Sequence, residues 1–186
     1  MADFVQSFND IIVPFEGFYS NDPDDSAGLT IWGLQQVDDS DWSEWPTILA
    51  AQSNPGFPNN LDQNALLQSA QLYYQSKYWN PMLLGSVKYY LTARSMFNIG
   101  VNQGISTAVV FLQRILNVFS EEGSLYPLLT VDGLMGTKTI NALNSITNQD
   151  YIYTCLKSLQ ANKYISICEK NPTQTVFING WISRVI

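Results

Sequence analysis

The chain has 186 residues, of which 46% are hydrophobic, so it is long enough to bury a sizeable core in one domain or in two small lobes. Nine basic and sixteen acidic residues give a net charge of −7, and no run of Lys or Arg is present that could follow a phosphate backbone. We therefore expect no nucleic-acid partner. The negative charge also argues against simple electrostatic attraction to an anionic cell wall.

Histidine is absent, and this absence removes whole classes of enzyme. Ser-His-Asp and Cys-His nucleophilic systems and almost every zinc hydrolase site need histidine. Carboxylates are the remaining candidates for catalysis, with no metal and no cofactor. Cys155 and Cys168 are predicted to lie on one helix, about 20 Å apart at 1.5 Å per residue, which is too far for a disulfide. We expect both to be buried thiols.

The first sixteen residues carry Asp3 and Asp10 and no basic region, a composition unlike that of a secretory signal. No segment approaches eighteen consecutive apolar residues, so no membrane insertion is expected. We expect synthesis in the cytoplasm and action in the periplasm or cell wall, after export by other machinery or release through a holin.

The N-terminal elements follow from residue spacing. Apolar residues from Phe4 to Phe15 recur at helical intervals and predict a helix that ends near Glu16-Gly17. The stretch from Phe18 to Leu34 has the composition of a turn-rich β-ribbon. A polar loop is predicted from Val37 to Asn60.

The rest of the chain is predicted to be helical. Asn60 and Gln63 resemble a capping box that opens a helix, and Trp79-Asn80-Pro81 ends it. Further helices are predicted over residues 87–99, 106–118, 137–146, 150–169 and 173–184, with Gly100 and Gly104 between the first two. The predicted class is mainly α, a helical bundle with a small β-ribbon after the first helix.

Glu16 meets the chemical requirement of a glycoside hydrolase, which needs a protonated carboxyl beside the leaving oxygen. Its predicted place in the last turn of a helix lies at the negative end of the helix dipole, and Phe15, Phe18 and Tyr19 could desolvate it. Both effects favour the neutral, proton-donating form. A Glu before Gly is also typical of a solvated helix end, so composition leaves both interpretations open.

A second polar group must activate water or stabilise the charge that develops on the sugar. Thr30 could position a water molecule through its hydroxyl. The acidic candidates also fit an ordinary Asx turn; they are Asp22, Asp24 and Asp25. Aromatic residues lie more often in a core than on a sugar-binding surface. The aromatic candidates for stacking on sugars are Tyr19, Trp32 and Trp79.

Residues 15–34, FEGFYSNDPDDSAGLTIWGL, resemble the signature of glycoside hydrolase family 108, which usually reads EGGY, NDPxD, GGxT and YGI. This family contains phage endolysins and bacterial muramidases implicated in secretion. The resemblance continues, in order, through YWNP at 78–81, FNIGVNQG at 97–104, FLQR at 111–114, VDGLMGTKT at 131–139 and GWISRV at 180–185.

The resemblance implies a lysozyme-like α+β fold and hydrolysis of the β-1,4 bond between N-acetylmuramic acid and N-acetylglucosamine in peptidoglycan glycan strands, by a monomer. The family's catalytic Glu carries over onto Glu16. Phage-type lysozymes, a more distant resemblance, have a Glu, an Asp nine residues later and then a Thr, an order that Glu16, Asp25 and Thr30 reproduce. The substrate contacts implied are Tyr19, Trp32, Trp79, Asn98 and Asn102.

Residues 106–146 also look like a peptidoglycan-binding helical module, in which a helix bearing Leu-Gln leads to a DGxxGxxT turn. The alternative is that Asp132-Gly133 and Gly136 only form a tight turn and a helix cap. We predict a catalytic lobe over residues 1–104 and a peptidoglycan-binding-like helical lobe over residues 105–186.

Departures from the family pattern leave a competing hypothesis. Phe18 and Ala27 replace glycines, Trp32 replaces Tyr, and Asn98 stands where the family usually has Asp. If that Asp contributes to catalysis, this chain is weaker or differs in substrate. The competing hypothesis is a non-catalytic peptidoglycan-binding or delivery component. Cleavage of wall peptides is disfavoured because histidine is absent.

Overall fold

The computed structural model describes residues 2–21 and 28–185. Within these residues the fold is mainly α, with eight α-helices and one three-stranded antiparallel sheet, which confirms the predicted class. The chain forms two compact units, residues 8–77 and residues 1–7 with 78–186. No helix in the described part of the chain is long and apolar enough to cross a membrane.

The first helix, α1 (Phe4–Ile11), ends earlier than the apolar spacing predicted. Pro14 explains the difference, because it lacks an N–H donor and disfavours helical geometry at the preceding residue. The backbone continues as turns, and the N–H of Glu16 donates to the carbonyl oxygen of Ile12 at 2.9 Å. Because α1 ends at Ile11, Glu16 lies beyond its last turn, and the helix-dipole argument does not apply to it.

The predicted β-ribbon is a small sheet of three two-residue strands, β1 (Tyr19–Ser20), β2 (Thr30–Ile31) and β3 (Leu34–Gln35). The strands lie in the order β1-β2-β3, with Ile31 opposite both Tyr19 and Leu34. Trp32 and Gly33 join β2 to β3 with positive φ angles of 49° and 80°. Positive φ at both central residues is the requirement of a type I′ hairpin turn.

The region predicted as a polar loop contains a helix, α2 (Trp45–Ala51). Its Trp45 and Ile48 are buried, and Trp45 makes an edge contact with Trp42 at 5.2 Å between ring centroids. Pro46 lies in the first turn, where its missing N–H has no helical partner to lose. Burial of the aromatic residues thus overrides the loop-like composition.

The next helix, α3 (Gln63–Tyr74), begins two residues later than the predicted capping box requires. Its N-cap is Asp62 rather than Asn60, because the Asp62 carboxylate accepts hydrogen bonds from the backbone N–H groups of Asn64 and Ala65. A π-helical turn, Gln75–Trp79, follows α3 and ends at the predicted position.

The other unit contains the helices α4 (Tyr90–Gln103), α5 (Ile105–Phe119), α6 (Thr137–Ser145), α7 (Gln149–Lys170) and α8 (Ile178–Ser183). Helices α4, α5 and α7 pack on one another. Predicted helix boundaries agree within a few residues, except that residues 173–184 divide into a 3₁₀ segment, Pro172–Phe177, and α8. Gly100 lies inside α4 rather than between helices. A Cβ there would lie 2.5 Å from Met82 Cε, so the close approach of Met82 favours glycine at this position.

The compact units of the structure and the lobes predicted from the motifs divide the chain at different residues. Helix α4 was assigned to a lobe of residues 1–104, but it packs with α5 and α7, and the compact units divide after Lys77. The functional division at residue 104 stays a prediction. Cys155 and Cys168 both lie on α7 and are not bridged, but they are half-buried rather than buried.

Candidate active site

Glu16 lies in the unit of residues 8–77, half-buried, after the turns that follow α1. Its side chain packs directly against the backbone of Gly33. A Cβ added at Gly33 would lie 2.6 Å from Glu16 Cγ and 2.7 Å from the hydroxyl oxygen of Tyr74. The side chain of Glu16 and the hydroxyl of Tyr74 therefore both meet the hairpin turn at Gly33, where only glycine fits.

Trp32 precedes that glycine in the turn and holds a left-handed backbone, which costs a non-glycine residue about 1–2 kcal/mol. The backbone N–H of Trp32 donates to the carbonyl oxygen of Phe18 at 3.1 Å, and the centroids of the two side-chain rings lie 5.7 Å apart. The indole Nε1 is buried and has no hydrogen-bond acceptor among the described residues. Backbone strain that the surroundings maintain is a frequent feature of binding sites.

Tyr74, the last residue of α3, contacts the hairpin turn through its hydroxyl. Its side chain is only 2% exposed and makes an edge contact with Phe8 at 5.7 Å. The Tyr74 hydroxyl donates to the carbonyl oxygen of Trp32 at 3.3 Å. Sequence reasoning missed this residue, because a tyrosine in an amphipathic helix carries no signal of its partner.

Tyr19 and Thr30 lie on neighbouring strands of the same unit, and both are half-buried. The Tyr19 ring makes an edge contact with Phe57 at 5.3 Å. Thr30 Oγ1 donates to the carbonyl oxygen of Gly28 at 3.4 Å, and a hydroxyl that donates can also accept a hydrogen bond. The acidic candidates Asp22, Asp24 and Asp25 lie outside the described residues.

Three residues predicted to contact substrate lie in the other unit, and two of them are buried there. Trp79 is 3% exposed, with edge contacts to Phe4 at 5.4 Å and Phe97 at 5.8 Å. Neighbouring rings cover Trp79, and its stacking on a sugar stays a prediction.

Asn98 is 4% exposed, and its amide forms internal hydrogen bonds. Its Nδ2 donates to the carbonyl oxygen of Arg184 at 2.7 Å, and its Oδ1 accepts from Asn102 Nδ2 at 2.9 Å. These bonds give Asn98 a structural role, and its contact with substrate stays a prediction. The half-buried Asn102 directs its amide N–H groups to Asn98, so this structure shows it as part of the same internal pair.

A polar network that sequence reasoning missed holds the end of the hairpin. Asp39 accepts the backbone N–H of Gln35 at 2.9 Å and pairs with Lys77 Nζ at 2.6 Å. Lys77 also donates to the Tyr73 hydroxyl at 3.0 Å, and Tyr73 donates to the carboxylate of Asp41. Burial and the Asp41 hydrogen bond raise the pKa of Tyr73 above its usual range. Asp39 therefore ties β3 to the helical segment that carries Tyr73 and Lys77.

These features define a mainly helical, lysozyme-like fold with a half-buried Glu against a strained hairpin turn. Within residues 2–21 and 28–185, no cluster of three or more His, Cys, Asp or Glu side chains could hold a metal ion. The family model described as Glycosyl hydrolase 108 matches residues 9–104, just over half of the chain. The chain belongs to this family.

A second family model, described as "Predicted Peptidoglycan domain", matches residues 107–186. Together the two matches identify a glycoside hydrolase that acts on peptidoglycan. The structure of SagA from Brucella abortus has the same fold, with a TM-score of 0.66 at 20% identity over 98% of this chain and 88% of that one. No curated protein matches the chain significantly.

Proposed function

We propose that the protein is an N-acetylmuramidase. It cleaves the β-1,4 bond between N-acetylmuramic acid and N-acetylglucosamine, and it acts in the periplasm or cell wall, where this substrate lies. The observation that carries the proposal is the contact of Glu16 with Gly33 and, through that turn, with Tyr74. A catalytic carboxyl must be held in a fixed position, and this packing restricts the Glu16 side chain.

Glu16 is the general acid in this proposal. As the bond from the anomeric carbon to the bridging oxygen breaks, the Glu16 proton moves to that oxygen, which leaves as the 4-hydroxyl of N-acetylglucosamine. Water supplies the new hydroxyl on the anomeric carbon of N-acetylmuramic acid, and the proton that this water loses passes to a carboxylate of the site. Asp25 is proposed to activate this water or to stabilise the positive charge on the ring, and Thr30 to position the water.

Tyr19 and Trp32 are the proposed sugar contacts. Both are half-buried, so part of each side chain remains accessible, unlike that of Trp79. The strained turn that packs against Glu16 carries one of these two aromatic rings, that of Trp32.

The test compares the wild-type protein with Glu16→Gln on purified peptidoglycan sacculi, by loss of turbidity and by mass spectrometry of the released fragments. Gln preserves the shape of the side chain but cannot donate the proton, so we expect a loss of activity of about 100-fold or more. Glu169→Gln is the matched control, because it removes the same charge from an exposed position at the end of α7.

Muropeptides with new reducing ends from wild type and the control, and none above background from Glu16→Gln, support the proposal. Equal activity of Glu16→Gln would refute the role of Glu16. Sacculi that wild type binds but leaves intact, with glycans from more than one bacterial source, would favour a non-catalytic binding component instead.

A further inference from the structure

A groove in the C-terminal part of the chain lies between the segment 125–136, called here the 125–136 loop, and helix α6. It consists of two adjoining cavities of about 370 and 350 Å³. Both are lined by Leu128, Leu129 and Lys138. Cavities of about 300–1,000 Å³ are typical of sites for small ligands.

Gln113 holds the C-terminal half of this loop in a fixed conformation. The Gln113 side chain is 2% exposed, and its Oε1 accepts the N–H groups of Asp132 at 3.1 Å and Gly133 at 3.0 Å. Its Nε2 donates to Asp132 Oδ1 at 2.8 Å and to the carbonyl oxygen of Leu134 at 3.1 Å. One buried amide thus makes four hydrogen bonds to the turn.

Two further anchors hold the N-terminal half of the loop. Asn117 accepts the N–H of Leu129 at 2.7 Å and donates to its carbonyl oxygen at 2.8 Å. The hydroxyl of Tyr126 donates to the carbonyl oxygen of Leu116 at 2.7 Å. The loop is therefore tied to α5 along its length by hydrogen bonds.

The loop nevertheless leaves large apolar side chains in solvent. Leu125 is 59% exposed, Leu128 is 61% exposed and Leu134 is 71% exposed. These side chains contribute little to the core, while the backbone that carries them is well anchored. Apolar side chains exposed together on a rigid loop mark a binding surface.

The charges in the groove indicate the chemistry of the ligand. Lys138 lines both cavities, and the Asp132 carboxylate lines the more polar one. Gln113 donates to Asp132 and lowers the pKa of its carboxyl, which keeps it anionic. Among the described residues, the groove therefore offers one cation and one anion beside an apolar wall, and Tyr126 is the one aromatic residue in its lining. Neutral sugar rings are usually held by stacking on several aromatic faces, so this lining fits a glycan poorly.

We propose that this groove binds the stem peptide of peptidoglycan, a short peptide of small apolar residues that carries free carboxylates and an amino group. The proposal rests on the proposed function, because it assigns to a second surface the peptide portion of the same substrate. Lys138 pairs with a peptide carboxylate, Asp132 with the amino group, and Leu125 and Leu128 contact alanine methyl groups. Binding here keeps the hydrolase on peptide-bearing strands without electrostatic attraction by the protein as a whole, which carries a net charge of −7.

The test measures binding of a synthetic, sugar-free Ala-γ-Glu-Lys-Ala peptide by calorimetry, with chitotetraose as the glycan probe. We expect the peptide to bind the wild-type protein. Lys138→Gln and Leu128→Ser should each weaken binding about tenfold, which corresponds to about 1.4 kcal/mol. Lys170→Gln and Val118→Ser are matched controls, since both residues are exposed and neither lines the groove.

Near-UV circular dichroism of each variant checks that it is folded, and the exposure of both groove residues makes unfolding unexpected. Absence of peptide binding, equal binding by all variants, or displacement of the peptide by chitotetraose would each overturn the proposal. Glu16→Gln separates the two hypotheses, because it should bind the peptide normally. If Glu16→Gln keeps full activity while the groove variants lose peptide binding, the acid assignment fails and the groove stands.

Discussion

Substitution of Gly33 by Ala tests whether the hairpin turn positions Glu16. The added methyl carbon would lie 2.6 Å from Glu16 Cγ and 2.7 Å from Tyr74 Oη, whereas ordinary contacts begin near 3.4 Å. Either the Glu16 side chain or the turn must therefore move by close to an ångström. A misplacement of this size near reacting atoms lowers the rate about 100-fold.

The expected loss of stability has two sources. At a φ of 80°, a left-handed backbone costs alanine about 1–2 kcal/mol, and a methyl group forced into filled space costs about 1–3 kcal/mol. A smaller entropy of the unfolded chain offsets about 0.4–1 kcal/mol. The free energy of unfolding should fall by about 3 kcal/mol for Gly33→Ala.

Gly56→Ala is the matched control for this experiment, because Gly56 lies in the same unit with a φ of 89° and only Asn60 Cβ within reach, at 3.9 Å. Gly56→Ala places alanine in a left-handed backbone but causes no steric clash. Its free energy of unfolding should therefore fall by only about 1 kcal/mol, and its activity should be unchanged. Urea unfolding and release of reducing ends from peptidoglycan provide the two measurements. Equal losses of stability in the two variants, together with full activity of Gly33→Ala, would refute the positioning role of the turn.

Two further predictions concern stability and its dependence on pH. Asn98→Asp replaces the amide that donates to the Arg184 carbonyl with a carboxylate, so the free energy of unfolding should fall by about 1–3 kcal/mol at pH 7. The loss should be smaller at pH 4, where the protonated carboxyl can donate. Urea unfolding that shows the same loss at both pH values would contradict this reasoning. Burial and Asp41 raise the pKa of Tyr73, so the unfolded chain ionises first, and stability should fall as pH rises above about 10. In urea unfolding above pH 10, the free energy of unfolding of Tyr73→Phe should fall less steeply with pH than that of wild type. An unchanged slope would show that Tyr73 does not cause the loss of stability.

Several parts of the fold could be predicted from the sequence because their signals are local. Helical periodicity placed α4 to α7 within a few residues, and the absence of histidine directed attention to carboxylates. The early end of α1 could also have been predicted, because Pro14 lies within the apolar stripe. The prediction followed the apolar spacing, which continues past Pro14 to Phe15. In the loop before α3, composition failed because Trp42, before α2, and Trp45, in α2, are both buried. Trp42 Nε1 donates to the hydroxyl of Ser69, which lies 27 residues later in the chain.

The order of motifs in the sequence was enough to determine the family, and with it Glu16 as the candidate acid. Only the tertiary structure decided which aromatic rings remain accessible, so that Trp32 and Tyr19 are candidates for sugar contacts while Trp79 is covered by Phe4 and Phe97. It also brought Tyr74 to the turn beside Glu16 and joined Asn98 to a carbonyl 86 residues later. The physical reason is that periodicity and motifs describe neighbours along the chain, whereas burial and hydrogen-bond partners depend on residues that folding brings together.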